Sequence, residues 1–305
     1  MPGHAAPVTF FGYWAGTLPA VTQLHFRSFL RHHPDARYEL WLDEDAASGL
    51  SPELEWIAAH PRIALRRLSL DALIEKHVSA RPVRAYDRHA GLRRLAGAVH
   101  RKLAPHWARR NAWEHPSFGL TYKHSSMLFG GFTRNKAYRG DLARCLVALE
   151  HYADACLYVD LDVAFTSDLN AQCGDKAWAY RWEDLPFANS AILYLPKRSW
   201  STALVRKGNE LENFRPWILF SDHVCAELGV VVHPTGLFDP LWDPTSLLYG
   251  DTDKFFGART NLALDLHALS TERHRAIHWH NNWDTVPAPN SIYAGLLKAC
   301  EGTAP

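Results

Sequence analysis

Two carboxylates, Asp160 and Asp162, stand one residue apart inside the apolar run LYVDLDVAF. A buried negative charge is costly unless something compensates it. Residues i and i+2 on a strand point the same way. At a strand end that leads into a turn, both side chains can therefore reach one hard cation. Mg²⁺ and Mn²⁺ accept such oxygen ligands and keep positions open for phosphate oxygens. The plainer alternative is that the pair ends a strand and caps the next turn, although its neighbours are too apolar for an ordinary surface turn. Upstream, Asp141 and Arg144 in GDLAR are i and i+3, so they share a helix face. The small Ala148 leaves room one turn further on. The pair is either a local salt bridge or a polar rim whose guanidinium fork suits phosphate.

The elements that must position these groups are legible around them. VTFFGYW is β-rich and ends at AGTLP, where Gly16 and Pro19 mark a turn. Helical periodicity follows through Val21, Leu24, Phe29 and Leu30 and stops at Pro34. YELWL (Tyr38 to Leu42) is a second strand, closed by Asp43, Glu44 and Asp45. After another helical segment, RIALRRLSL (Arg62 to Leu70) is a third. This alternation predicts parallel pairing in an α/β fold. Leu142, Cys145, Leu146 and Leu149 form a helical stripe, and Cys156 to Val159 enter a buried strand with the aspartates at its C-terminal end. Open α/β sheets bind ligands beyond that end of their strands. WAYRW and SAILYLP read as strands, Ala203 to Leu211 and FSDHVCAELG as helices, and the C-terminal part as turn-rich. The expected organisation is one domain over 1–305, with a helical basic insertion at about 76–120. In that insertion Leu92, Leu95, Ala96, Val99, Leu103 and Trp107 share a face, while Arg93, Arg94, Arg101 and Lys102 lie elsewhere.

Three separated blocks give the chain a resemblance. GYWAGTLP followed by His-Pro and YELWLD, then GDLAR with YVDLD, then AIHWHNNW, occur in an order similar to that of the Asp-x-Asp glycosyltransferases of GT-A fold. The chain most resembles the superfamily of yeast initiation-specific mannosyltransferase, α1,4-galactosyltransferases and the glucosyltransferase domains of large clostridial toxins. It departs from that pattern where HYADAC replaces a Gly-Gly before the Asp-x-Asp strand. The resemblance implies a GT-A fold, with a mostly parallel Rossmann-like central sheet flanked by helices. It implies a metal-dependent, retaining hexosyltransferase that uses Mn²⁺ or Mg²⁺ and a nucleotide sugar, UDP-sugars favoured, on a glycan or lipid-linked acceptor in polysaccharide or glycoconjugate assembly. It places Trp14 against the base. It gives Asp141 to sugar hydroxyls, Arg144 to sugar or phosphate, and Asp160 and Asp162 to the metal. Asn189 in FANS resembles a family position that follows the central sheet. The block with His278, His280, Asn281, Asn282 and Trp283 would close over the metal and pyrophosphate, with His280 or Asn282 as a further ligand and Trp283 donating an N–H to phosphate. Asp222 and His223 are candidate sugar or acceptor contacts, although Asp222 equally suits a helix N-terminal charge.

Composition narrows the alternatives. The net charge of +1 gives no basic field for nucleic acid. The five cysteines are scattered, without CxxC pairs, so a zinc ribbon or disulfide framework is unsupported and a reducing compartment is expected. No HxxxH spacing argues for zinc. The N-terminus lacks a signal-peptide pattern, and no apolar run approaches the ~18 residues of a membrane span. A cytoplasmic protein is the expectation, with peripheral contact to the inner face of a membrane if the basic helix lies on anionic lipid rather than on the core. The 12 tryptophans supply core or stacking surfaces for sugars and bases. Two other classes compete. One is a haloacid-dehalogenase-like phosphatase, in which Asp251 and Asp253 would complete a Mg²⁺ site; the other is an inactive sugar-binding module.

Overall fold

The computed structural model describes residues 8–79 and 136–301, apart from 184, 212, 247, 251, 252, 272, 273 and 281. The basic insertion, beyond residue 79, lies outside the described residues. The chain is a mixed α/β structure built on a seven-stranded sheet. The strands are β1 (Thr9–Trp14), β3 (Arg37–Asp43), β5 (Ile63–Leu68), β6 (Cys156–Val159), β8 (Trp178–Arg181), β9 (Ala188–Leu195) and β10 (Val231–His233). Their order is β10-β8-β9-β6-β1-β3-β5. β6, β1, β3 and β5 pair in parallel, as do β10 and β8, and β9 runs antiparallel to both of its neighbours. The expected mostly parallel sheet flanked by helices is thus what the chain adopts. Short pairs stand apart: β2 (Thr17–Leu18) with β4 (Gly49–Leu50), and β7 (Val163–Phe165) with β11 (Ala276–His278).

The central strands are buried on both faces, which explains why β6 and β9 read as apolar runs rather than as alternating ones. Successive side chains go to opposite faces. Phe11, Tyr13, Trp41 and Tyr158 enter the core that includes Leu142, Cys145 and Leu146 of helix α4 (Lys136–His151). Phe10, Tyr38, Leu40, Leu157 and Val159 enter the opposite core, with Phe26 and Phe29 of helix α1 (Gln23–His32). The remaining described helices are α2 (Trp56–Ala59), α3 (Leu70–His77), α5 (Arg198–Glu210), α6 (Pro216–Leu219), α7 (Asp222–Leu228), α8 (Asp253–Phe256), α9 (Leu262–Thr271) and α10 (Ile292–Glu301).

Two sequence expectations need correction. The segment Arg62 to Leu70 is strand only as far as Leu68; Ser69 then caps α3, its side chain accepting from the Ala72 N–H at 3.2 Å. The C-terminal part is not merely turn-rich. α9 and α10 bring Leu262, Leu266, Leu269, Ile292 and Tyr293 into a third apolar cluster, around the fully buried Trp279. Their i, i+3 and i+4 spacing was the available signal, hidden among Gly, Pro and Asn residues. No described helix is long and apolar enough to cross a membrane.

α1 has a second task. β7 is hydrogen-bonded to β11 along one edge, and α1 side chains serve the other. His25 Nδ1 lies 2.8 Å from the Val163 carbonyl, the Phe165 N–H donates to Ser28 Oγ at 3.0 Å, and the Leu169 N–H donates to His33 Nε2 at 3.0 Å. Burial pushes both histidines down to about 4, so they are neutral and His33 can accept.

At the C-terminal edge of β1 and β3, Asp43 is fully buried. Arg139 of α4 reaches it through Nη2 at 2.7 Å and Nε at 2.9 Å, and the Tyr13 hydroxyl also donates to it. Arg139 binds Asp71 at 2.6 Å and Asp45 at 3.2 Å as well. This one guanidinium fixes the start of α4 against two strands. Replacing it leaves Asp43 as a buried charge without its cation, a change that typically costs 3–5 kcal/mol. Arg139→Met is expected to lower unfolding stability by about 3 kcal/mol in urea titration. A loss below about 1 kcal/mol would show that the network does not hold the helix.

Candidate functional site

Asp160, Leu161 and Asp162 form the link between β6 and β7. It is held from both sides: the Asp160 N–H donates to the Ala191 carbonyl at 2.7 Å, and the Asp162 carbonyl accepts from the Trp279 N–H at 2.9 Å. Gly12 in β1 makes room beneath it. A Cβ there would lie 2.9 Å from Leu161 and 2.4 Å from the Tyr38 hydroxyl oxygen. The two aspartates are therefore set by backbone contacts, as a rigid functional element requires.

What compensates them differs between the two. Asp160 is partly exposed. It accepts from the Tyr158 hydroxyl and lies 3.5 Å from Arg144 Nη2. Burial, together with the charge on Asp162, raises its carboxyl above the ordinary range against the pull of Arg144. Asp162 is 2% exposed and lies 3.2 Å from His278 Nε2. The Tyr180 hydroxyl sits 2.8 Å from His278 Nδ1, on the other side of the ring. Burial alone would lower His278, but Asp162, Asp239 and Asp160 together drive it up to about 9. Ligand atoms of Asp160, Asp162 and His278 all lie within 4.8 Å of one another.

The sequence placed the third ligand at His280 or Asn282. In the structure His278 stands against the aspartates. His280 Nε2 lies 2.9 Å from Asp239, its ring stacks on Trp242 at 3.7 Å, and its backbone is left-handed with φ of 55°. Burial and the neighbouring His278 charge lower it. Asn282 braces the loop, donating to the Trp279 and His280 carbonyls at 2.7 and 2.9 Å. β11 explains the difference. His278 is its last residue, in register with Val163, so it faces the Asp-x-Asp link, while His280 lies in the turn beyond.

A cavity of about 790 Å³ opens over this group. Trp14, Asp141, Arg144, Asp160, Asp162, Asn189, His280 and Trp283 all line it, so the three sequence blocks converge on one space. Trp14 and Trp283 meet edge to face at 4.7 Å. Asn189 is 3% exposed; its Oδ1 accepts from the Ala191 N–H, and its Nδ2 has no hydrogen-bond partner among the described residues. Asp141 and Arg144 are both 5% exposed and lie 3.2 Å apart. Burial raises Asp141 despite the opposing pull of Arg144 and Arg215. Asp222 pairs with Arg181, and neither Asp222 nor His223 lines the cavity. Of the phosphatase pair, Asp251 lies outside the described residues and Asp253 opens α8, away from the lining.

Sequence reading missed Asp239 and Arg215. Asp239 is fully buried in GLFDP, and Arg215 stands in FRPW; each is an isolated charge without motif spacing.

No protein-family model and no curated protein matches the chain. Among solved structures it is similar to the galactosyltransferase LgtC in complex with donor and acceptor sugar analogs, at 13% identity over 98% of each chain and a TM-score of 0.46. It is also similar to the bifunctional glycosyltransferase WbbM, at 11% identity over 100% of this chain and 51% of that one, with a TM-score of 0.45. Mouse xyloside xylosyltransferase 1 is similar at 10% identity over 92% of this chain and 100% of that one, with a TM-score of 0.42. At these values no residue role passes from those proteins to this one.

The His278 environment predicts a pH dependence. A histidine raised in the folded state from about 6.5 stabilises fully below that value, and the contribution is lost as pH rises through about 9. In chelator-treated protein, the urea midpoint should fall between pH 7 and 10, and His278→Gln should flatten that fall. An unchanged slope in the variant would refute the pairing with Asp162.

Proposed function

We propose that the protein is a metal-dependent, retaining glycosyltransferase that moves a hexose from a nucleoside diphosphate sugar, UDP-sugars favoured, to a hydroxyl of a glycan or other acceptor. The observation that carries this reading is the convergence of Trp14, Asp141, Arg144, Asp160, Asp162, Asn189 and Trp283, with His278, on a single cavity at the C-terminal rim of the sheet. Asp160, Asp162 and His278 offer two hard oxygen donors and one imidazole within 4.8 Å, a set that fits Mn²⁺ or Mg²⁺. When bound, the ion supplies Lewis-acid stabilisation of the leaving diphosphate.

The residues divide the substrate between them. Trp14 takes the base, with Trp283 set edge to face against it. Arg144, whose Nη1 donates to Ser190 and whose Nη2 lies against Asp141 and Asp160, brings its positive charge to a diphosphate oxygen or the sugar. Asp141 accepts from sugar hydroxyls, and Asn189 Nδ2, without a hydrogen-bond partner among the described residues, donates at the reacting end. In the transfer, the bond from C1 to the diphosphate oxygen breaks, and a bond from C1 to the acceptor oxygen forms on the same face. The acceptor proton passes to the departing diphosphate. Retention is taken from the resemblance of the sequence blocks.

A donor-hydrolysis screen of nucleotide sugars with Mn²⁺ tests the reading. Slow release of nucleoside diphosphate from one donor is expected. Asp162→Asn should reduce it about a hundredfold or more without unfolding the protein, and Arg144→Lys should reduce it sharply because the bidentate fork is lost. Release of phosphate from simple monoesters instead would favour the phosphatase. Retention of full activity by Asp162→Asn, or in the presence of chelator, would overturn the site.

A second expectation concerns protons. Binding at His278 needs the neutral ring, so Mn²⁺ affinity in the presence of UDP should rise from pH 6.5 to 8.5, by up to about tenfold per unit. Calorimetry in buffers of different ionisation enthalpy should register about one proton released. Proton-neutral binding would exclude His278 as a ligand.

A further inference from the structure

Arg215 is a cation that the three sequence blocks do not contain, yet it reaches the sugar-binding carboxylate from a separate element. Its Nη1 donates to Asp141 Oδ2 at 3.0 Å, while Arg144 Nη2 lies 3.2 Å from the other oxygen, Oδ1. The carboxylate is thus clamped by two guanidinium groups, one on each oxygen. Each oxygen has a second lone-pair direction, and those directions are what remain for a ligand. Asp141 and Arg215 both line the cavity.

The clamp is rigid for reasons written into the segment NFRPW, residues 213–217. Asn213 is fully buried, and its Oδ1 accepts from the Arg215 N–H at 2.9 Å. Pro216 fixes the first position of α6, and the Arg215 carbonyl accepts from Leu219 at 2.8 Å. Phe214 packs so closely on α5 that a Cβ at Gly208 would lie 2.5 Å from its ring. The guanidinium itself lies 4.9 Å from the Tyr138 ring and 5.2 Å from the Trp217 ring, so its plane has little freedom. Its Nε has no hydrogen-bond partner among the described residues. A charged side chain held this firmly against a buried carboxylate does more than neutralise it: it sets the direction in which the carboxylate can accept.

We infer that Arg215 is a specificity-determining positioning residue: by locking Asp141 from the side opposite Arg144, it selects which arrangement of sugar hydroxyls the cavity accepts. The inference rests on the glycosyltransferase reading and assigns a determinant of sugar choice within it. Hexoses that differ at one hydroxyl present the same volume but a different donor direction. A carboxylate with fixed acceptors distinguishes them; a swivelling one does not. Discrimination that depends on hydrogen bonds to hydroxyls can be large when the site's own polar groups are fixed and would otherwise be left unpaired.

The test uses the full chain, Arg215→Gln and Arg215→Lys. UDP and GDP affinities with Mn²⁺ are measured by calorimetry. Hydrolysis of UDP-glucose, UDP-galactose, UDP-N-acetylglucosamine and GDP-mannose is then measured as kcat and KM. The wild type should favour one sugar. Both variants should bind the free nucleoside diphosphate within about twofold of wild type, while the ratio of kcat/KM between preferred and non-preferred sugars falls about tenfold or more. Lysine restores the charge and so part of kcat, but not the discrimination, because it lacks the planar fork. A merely structural Arg215 would lower all donors and nucleotide binding together. Undiminished discrimination in an active, folded variant overturns the inference and leaves the glycosyltransferase reading intact. A wild type that neither binds nucleoside diphosphate nor hydrolyses any of the four donors overturns both.

Discussion

Buried negative charge, and the cations that must accompany it, organise the C-terminal rim of this sheet. Asp43, Asp141, Asp162 and Asp239 are each at most 5% exposed. Each has a cationic or cation-capable side chain within 3.2 Å: Arg139, Arg144 with Arg215, His278 and His280 respectively. A carboxylate in such surroundings is tolerated only when its companion is held in place. The companions come from α4, the segment before α6 and the C-terminal β11 loop, so distant parts of the chain are drawn to one edge of the sheet by the same requirement.

The charges form a line rather than a cluster. From Arg215 it passes to Asp141, Arg144, Asp160, Asp162 and His278, alternating in sign except where the two adjacent aspartates meet. That single break is where like charges face each other, and it is where added positive charge is most favourable. The hydrophobic layers on either side determine where the line can run. Phe11 and Tyr158 hold α4 on one face, and Phe10, Tyr38 and Val159 hold α1 on the other, so the line runs along the rim between the two apolar layers.

Much of this was legible in the sequence, because local pattern encoded it. The strands Thr9–Trp14, Arg37–Asp43 and Cys156–Val159 announce themselves as apolar runs, and the Asp-x-Asp link falls where a parallel sheet places ligands. The Asp141–Arg144 pair follows from helix arithmetic. Register, by contrast, was not legible. Whether His278 or His280 faces Asp162 depends on β11 pairing with β7 residue by residue, and two histidines at i and i+2 look alike in one dimension. Asp239 and Arg215 were invisible for another reason. Each matters only through a companion far away in the chain, and neither carries a spacing signal of its own. α9 and α10 were overlooked because turn-forming residues around them masked a modest apolar periodicity.

The pairing of β7 with β11 also has a consequence for the order in which the molecule can be completed. β7 follows the two aspartates directly in the chain, and α1, made before it, can satisfy one of its edges through His25, Ser28 and His33. Its other edge is completed by Ala276–His278, which come after β8, β9 and β10 in the chain. A nascent chain thus holds a nearly finished sheet whose rim still lacks His278, the Trp279 bond to the Asp162 carbonyl and the Trp283 wall. Among the described residues, the contacts that complete the Asp-x-Asp link therefore come from a part of the chain made after every strand of the seven-stranded sheet.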